Sequence, residues 1–233
     1  MKITCDSLNT GAMNARGLTV VIDVFRAFTC APLLFSFGIK YSVLVATPEE
    51  AFALKEKDPN LILIGEVGGA PIEGFDFGNS PSQLLSQDPS IFQGKVVVQR
   101  TSSGVQGALA ALENADEVLL GSFALSKSIA AYIHSKNPDR VSIVAMGWNL
   151  KEIAPEDEWC ARYIAHLLGQ GEYDHREALK EIVFNKHAQK FLQRKKPYYP
   201  PEDPVLCLQR DMYDFVLRAE RKKGQVIVTK QEL

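Results

Sequence analysis

Short unbroken apolar runs recur along the chain, separated by stretches in which apolar residues return every three or four positions. The runs predict strands at Lys2–Cys5, Leu18–Val24, Tyr41–Ala46, Leu61–Ile64, Lys95–Gln99, Glu117–Leu120, Val141–Ala145 and Gln225–Thr229. Most are continuous, not alternating, which is the pattern of strands covered on both faces. The periodic stretches predict helices at Ala27–Gly38, Pro48–Lys57, Val105–Asn114, Leu125–Ser135, Pro155–Leu168 and Asp174–Asn185, with a last one over Val205–Arg221. Thr47 before Pro48, with Glu50 in the first turn, marks a helix start, and Gly38 and Gly169 follow helix ends. The alternation predicts the α/β class, a three-layer sandwich around a mostly parallel or mixed sheet.

No repeat recurs at a fixed period, and residues 1–233 read as a single domain, with room for two tightly packed lobes. The one break in composition is Arg194–Pro204, where four prolines and two tyrosines predict an extended connector to the terminal helix and strand. The exposed look of that arm suggests a homodimer.

Charge narrows the partners. Twenty-six Lys and Arg stand against twenty-eight Asp and Glu, which gives no reason to expect a nucleic acid or a membrane surface. The N-terminal segment has no apolar core of signal-peptide length, and no stretch approaches the roughly 20 apolar residues of a membrane span. Cys5, Cys30, Cys160 and Cys207 are scattered without a C-x-x-C pair, as expected of reduced thiols in a cytoplasmic protein. The four histidines lack zinc-binding spacing.

The candidate chemistry sits at the carboxyl ends of predicted strands, where open α/β sheets gather their ligands. LTVVIDVFRAFTC delivers Asp23 to a strand end, with Arg26, Thr29 and Cys30 just beyond. GEVGGAPIEGFDFGNSP, Gly65 to Pro81, holds five glycines and the three carboxylates Glu66, Glu73 and Asp76. Glycine there is costly in backbone entropy, and so many acids in one loop need cationic partners. Arg100-Thr101-Ser102-Ser103-Gly104 opens a helix, where hydroxyls and free N–H groups suit a phosphate or sulfonate. Glu156 and Asp157 begin another helix. Hard carboxylate oxygens suit Mg²⁺, and with arginines they are the parts that phosphoryl transfer needs. Each residue also has a structural reading: Asp23 as a helix cap, Arg26 as an ion-pair partner, Asp76 in an Asx-turn, Glu156 and Asp157 as helix-dipole partners, Cys30 as a small buried hydrophobe.

VVIDVFRAFTC, GEVGGAPIEGFDFGNSP, RTSSGVQGALAA and GSFALSKSIA together resemble the ordered motifs of the 2-phosphosulfolactate phosphatase family, over about Leu18 to Leu168. The resemblance implies an α/β fold and a Mg²⁺-dependent hydrolysis of phosphosulfolactate to sulfolactate, a step of coenzyme M biosynthesis. It implies Asp23, Arg26, Glu66 and Asp76 as catalytic residues. It implies Asp23, Glu66, Asp76, Glu156 and Asp157 as metal ligands. Thr29, Cys30, Gly68, Gly69, Asn79, Ser80, Arg100, Thr101, Ser102, Ser103 and Gly104 would then contact a small anionic phosphorylated substrate.

The chain departs from the family pattern in neutral polar groups. Thr101-Ser102-Ser103-Gly104-Val105 stands where T-T-N-G-T is usual, and Leu125 stands where G-S-F-x-N has its asparagine. The carboxylates are kept, so the expectation is preserved metal chemistry with an open substrate: 2-phosphosulfolactate, another phospho-hydroxy acid or a sugar phosphate. A non-catalytic binder of an anionic metabolite is the alternative. Asp23 has two possible tasks, attack on phosphorus or metal binding with orientation of water. Phe25 occupies the second position of the Asp-x-Asp pair found in haloacid-dehalogenase phosphatases, which disfavours that family.

Overall fold

Buried β-branched runs become strands of a ten-stranded mixed sheet in the computed structural model, which describes residues Met1–Leu233. The strands are β1 (Lys2–Ser7), β2 (Leu18–Ile22), β3 (Tyr41–Leu44), β4 (Ile62–Val67), β5 (Ala70–Pro71), β6 (Val96–Arg100), β7 (Glu117–Gly121), β8 (Arg140–Ala145), β9 (Phe215–Lys222) and β10 (Gln225–Glu232). Their order is β1-β8-β2-β7-β9-β10-β3-β6-β4-β5. The eight expected strands are all present, with ends shifted by a few residues.

The helices are α1 (Leu8–Asn14), α2 (Ala27–Ser36), α3 (Pro48–Lys57), α4 (Pro81–Leu85), α5 (Gly104–Ala111), α6 (Ser126–Lys136), α7 (Pro155–Leu167), α8 (His175–Phe184), α9 (Lys186–Leu192) and α10 (Glu202–Cys207). With the mixed sheet they make the expected α/β sandwich. The Thr47 hydroxyl accepts the Glu50 N–H at the start of α3, as its sequence position predicts. No helix is long and apolar enough to cross a membrane.

Two parallel groups make up the sheet. β1, β8, β2 and β7 form one; β3, β6 and β4 form the other. Between them lies the antiparallel hairpin β9–β10, with β9 on β7 and β10 on β3. All five residues of β2 are buried between its neighbours, which explains why no charged residue interrupts that run until Asp23. The main apolar core lies around β2, β7 and β8 against α2, α5, α6 and α7. A smaller core of Val43, Val45, Ala51, Leu63 and Val98 lies between α3 and the second parallel group.

The C-terminal region differs from expectation. Val205–Arg221 is not one helix: α10 ends at Cys207 and β9 begins at Phe215. The reason is the turn at Lys223 (φ 51°) and Gly224 (φ 81°), two consecutive left-handed residues that return the chain on itself. Phe215, Val216, Leu217 and Ala219 are then buried through cross-strand pairing, which a helical-period reading of mixed apolar and charged residues does not find. The proline-rich connector also differs, since Tyr199 and Asp203 are buried within the molecule.

Candidate active site

Asp23 leaves the end of β2 with its side chain buried. Its Oδ2 accepts the Gly104 N–H at 2.6 Å, and its Oδ1 accepts the Ala27 N–H at 3.3 Å. Two helix starts, α5 and α2, therefore fix one carboxylate. Gly104 has to be glycine: a Cβ there would lie 2.7 Å from Asp23 Oδ2. Because α5 links β6 to β7, its N-terminus is carried from one parallel group to Asp23 in the other.

Asp157, in the first turn of α7, clamps this floor. Its Oδ1 accepts the Val24 N–H at 2.7 Å and its Oδ2 the Gly147 N–H at 2.8 Å. Both oxygens are thus engaged in joining the turns after β2 and β8.

Glu66, at the end of β4, is buried and takes N–H groups from Gly69 and Ser102, each at 2.5 Å. The Ser102 hydroxyl adds a bond to Glu66 Oε2 at 3.2 Å. Gly69 sits at φ 87°, and a Cβ on it would meet the Tyr199 hydroxyl at 2.4 Å. Asp23, Arg26, Glu66, Gly69, Asn79, Ser102 and Ser103 share one narrow cleft, whose accessible volume is about 20 Å³. A larger groove of about 550 Å³ lies between α3, α5 and the hairpin, with a mostly apolar lining that includes none of the buried carboxylates.

Arg26 reaches the cleft from the turn before α2, but its guanidinium is already engaged. It donates to Asp203 at 2.9 Å, to the Tyr198 carbonyl at 3.0 Å and to the Gly69 carbonyl at 3.3 Å. Asp203 also accepts from Ser80 Oγ at 2.9 Å and from the Ser82 N–H at 3.0 Å. This buried cluster binds the connector to the Gly69–Ser82 segment and to the β2–α2 turn.

The far wall is aromatic. Trp148, Phe191 and Tyr199 line the cleft together with Phe25 and Asn149. Lys190 places its ammonium 3.1 Å from the Trp148 ring centroid, 5.1 Å from that of Tyr199 and 5.3 Å from that of Phe191. Apart from Phe25, no sequence motif marks these residues. Tyr199 lay in a segment read as an exposed arm, and α9, which carries Lys190 and Phe191, was not predicted. The Trp148-Asn149 step beside a strand-end glycine was the available signal.

Several expected residues fall outside the cleft. Asp76 is a third exposed, pairs with Lys55 Nζ at 2.5 Å and accepts the Leu63 N–H at 2.7 Å. It is a surface brace across β4, so the Asp23–Glu66–Asp76 ligand set is not assembled. Arg100 donates to the Glu66 carbonyl at 2.7 Å and to Ser102 Oγ at 3.2 Å, which directs its fork to the protein's own loop. The Thr29 hydroxyl donates to the Val24 carbonyl at 2.9 Å, and Thr101 Oγ1 accepts the Val105 N–H at 3.1 Å as a helix cap. Cys30 is buried in the main core, and burial pushes its thiol well above the usual range. Ser80 caps α4. Gly68 is exposed and gives its N–H to Ser102 Oγ.

Electrostatically the site carries a surplus of buried negative charge. Burial, reinforced by Glu66, pushes Asp23 up to about 6 despite its N–H bonds and the opposing pull of Arg26. Burial also pushes Glu156 up to about 7, with Asp23 adding to the rise and Lys190 opposing it. Asp157 is raised by burial first, then by Asp23 and Glu156. Lys190 is lowered to about 7, chiefly by desolvation. Glu156 Oε2 is buried without a hydrogen-bond partner.

These shifts fix the sign of a stability experiment. The folded protein retains the Glu156 proton that the unfolded chain releases between the ordinary value, 4.5, and about 7. Stability from this group is complete below the unfolded value and is lost as pH rises through the folded one. At pH 8 an ionised Glu156 costs on the order of 3 kcal/mol. Glu156→Gln is expected to melt higher than the parent at pH 8 and alongside it below pH 5, with both proteins held in chelator. Equal melting differences at the two pH values would show that Glu156 is not a strained buried acid.

No three acidic side chains gather closely enough to hold an ion between them. A cage of three carboxylates is therefore not the arrangement. Magnesium, however, is commonly held by one or two carboxylates, with water and substrate phosphate completing its shell. Asp23 and Glu66, which share one cleft, are a pair of that kind.

An α/β sandwich with fixed buried carboxylates and helix N-termini at its strand ends is the architecture of an enzyme acting on a small molecule. The chain belongs to the 2-phosphosulpholactate phosphatase family, which it matches over residues 3–222. The family is one of phosphatases, so its members are phosphoric monoester hydrolases. The chain is 35% identical over 212 residues to a Bacillus subtilis (strain 168) protein named "Probable 2-phosphosulfolactate phosphatase", covering 90% of this chain and 89% of the relative. A Caldicellulosiruptor saccharolyticus protein of the same name is 40% identical over 152 residues, 64% of this chain and 61% of that one. A third so named, from Clostridium perfringens (strain SM101 / Type A), is 28% identical over 239 residues, 96% and 93% of the two chains.

Proposed function

We propose that this protein hydrolyses the phosphate monoester of a small anionic hydroxy acid, 2-phosphosulfolactate or a close analogue, with Mg²⁺ as cofactor. The reaction would yield sulfolactate and phosphate, on the way to coenzyme M. One observation carries the reading: Asp23 and Glu66, each fixed by N–H donors, face a single cleft with Ser102 and Ser103 at the start of α5.

In this reading the phosphoryl group lies at the α5 N-terminus, where the helix dipole and the Ser103 hydroxyl meet its oxygens. Asp23, raised toward neutral pH, accepts a proton from the attacking water at a carboxylate oxygen. The water oxygen bonds to phosphorus and the ester P–O bond breaks; the leaving hydroxy-acid oxygen takes a proton from solvent water, and Asp23 returns the one it accepted to solvent. Glu66 keeps the Gly69 and Ser102 peptides turned toward the cleft. The Arg26 N–H donors left over from Asp203 and from the Tyr198 and Gly69 carbonyls serve a phosphoryl oxygen. Asp23 and Glu66 would hold Mg²⁺, with water and the substrate phosphate completing its shell. The bound ion would draw charge from the phosphoryl oxygens. A cleft of about 20 Å³ admits a substrate only when its aromatic wall moves, and Trp148 and Asn149 lie on a segment outside regular helix or strand.

The test is phosphate release from a panel of phosphorylated hydroxy acids, with Mg²⁺ and with chelator. Release that chelator abolishes is the expected result. Release that chelator leaves intact overturns the metal assignment, and no release from any phosphate ester overturns the reaction.

A further inference from the structure

Lys190 is a cation that makes no ion pair. Its ammonium packs against three aromatic rings, and no carboxylate lies within ion-pair distance of it. This placement is built by the surrounding chain. The Asn185 side chain caps α9 by accepting the His187 N–H at 3.0 Å. Lys186 and His187 at the start of α9 both reach Glu152, which ties the helix to the segment after β8. Through that tie the Trp148 ring is laid across the Lys190 ammonium.

The rings that hold Lys190 are themselves walls of the cleft. An ammonium partly withdrawn from water loses hydration, and contact with ring faces returns only part of it. A long apolar side chain would pack there at less cost. Arg26, the cation that lines the cleft, is neutralised by Asp203. The phosphoryl end already has Ser103 and the start of α5. Lys190 stands behind the aromatic wall with no ion-pair partner, and Glu156, Glu66 and Asp23 act on it only at longer range.

We propose that Lys190 binds the acid group of the substrate, its carboxylate or sulfonate, and thereby selects acid-bearing phosphate esters over neutral ones. The inference rests on the phosphatase reading above and adds to it the residue that reads the non-reacting end.

A matched pair of esters tests it: 2-phospholactate, and isopropyl phosphate, in which a methyl group replaces the carboxylate. Lys190→Met retains a long apolar stem against the rings, and Lys190→Arg retains the charge. The expected result is that Lys190→Met loses at least about tenfold more kcat/KM on 2-phospholactate than on isopropyl phosphate, mostly in KM, as removal of a charged hydrogen bond implies. Lys190→Arg is expected to restore part of the preference. Equal losses on the two esters would mean that Lys190 serves the phosphoryl group, and no loss on either would mean that it serves neither; both outcomes overturn the proposal. If the parent hydrolyses no ester, the phosphatase reading has failed, and calorimetric titration with 3-sulfolactate decides the matter for Lys190. Binding weakened tenfold or more in Lys190→Met supports it, and unchanged or undetectable binding to the parent and variant overturns it.

Discussion

Asp23→Asn is expected to lower phosphate release at saturating substrate by about a thousandfold, within the range of a lost acid–base group, while the protein stays folded. Asn keeps the shape of the side chain and one carbonyl oxygen. That oxygen can accept only one of the two N–H groups, from Gly104 and Ala27, that the carboxylate now takes. The variant loses the group that accepts a proton from water. It also removes one member of a set of mutually repelling buried acids, since Asp23 raises both Glu156 and Asp157. Melting at pH 8 should therefore fall little or even rise. Loss of activity together with loss of fold would make Asp23 a helix cap. Retention of activity within a few-fold would remove it from the reaction.

Gly104→Ala separates positioning from chemistry at the same site. Its Cβ would fall 2.8 Å from the Asp23 Cβ and 3.0 Å from Phe28 Cζ, so the carboxylate must move although its charge is unchanged. The start of α5 and the end of β2 are mutually dependent, and this is the physical reason for a glycine in a chain position that also begins a helix.

What the sequence discloses follows from how local each cause is. Strands covered on both faces are mostly apolar, with buried polar residues such as Thr19, Gln99 and Ser142 among them, so β2, β6, β7 and β8 are legible as runs. β9 is not, because Leu217 to Lys222 is an equally good helical sequence until the left-handed Lys223–Gly224 turn pairs it with β10. The cleft shows the same division. Asp23, Glu66, Asn79, Ser102 and Ser103 lie at strand ends or in the segments that follow them, Glu66 and Asn79 in a stretch rich in glycine and acid, and they share the cleft. Asp76 has the same local signature, yet Lys55, twenty-one residues earlier, holds it on the surface. Arg100 reads as a substrate ligand until the carbonyls that it braces are brought beside it. Trp148, Lys190 and Tyr199 carry no motif, and their meeting depends on α9, the connector and the segment after β8 folding onto one another.

Asp203, which no motif marks, is expected to give the largest stability effect. The Arg26 and Asp203 side chains are 4% and 1% exposed, so neither charge has water to fall back on. Removing one partner of a buried pair typically costs about 3–5 kcal/mol, because the other is left uncompensated. Asp203→Ala strands the Arg26 guanidinium and also removes acceptors from Ser80, Ser82 and the Ser82 N–H at the start of α4. A loss of that size is a large share of the roughly 5–15 kcal/mol that holds a domain together, and at this chain length it lowers Tm by roughly 10 °C. The double change Arg26→Met with Asp203→Leu distinguishes a strained charge from a missing contact. Apolar partners of similar volume often match or exceed a buried ion pair in stability. The double variant should therefore melt well above Asp203→Ala while remaining inactive, since Arg26 lines the cleft. If Asp203→Ala melts with the parent, the connector is not fastened by this pair, and Tyr199 must be held on the cleft by its aromatic contacts with Phe191 and Tyr198 alone.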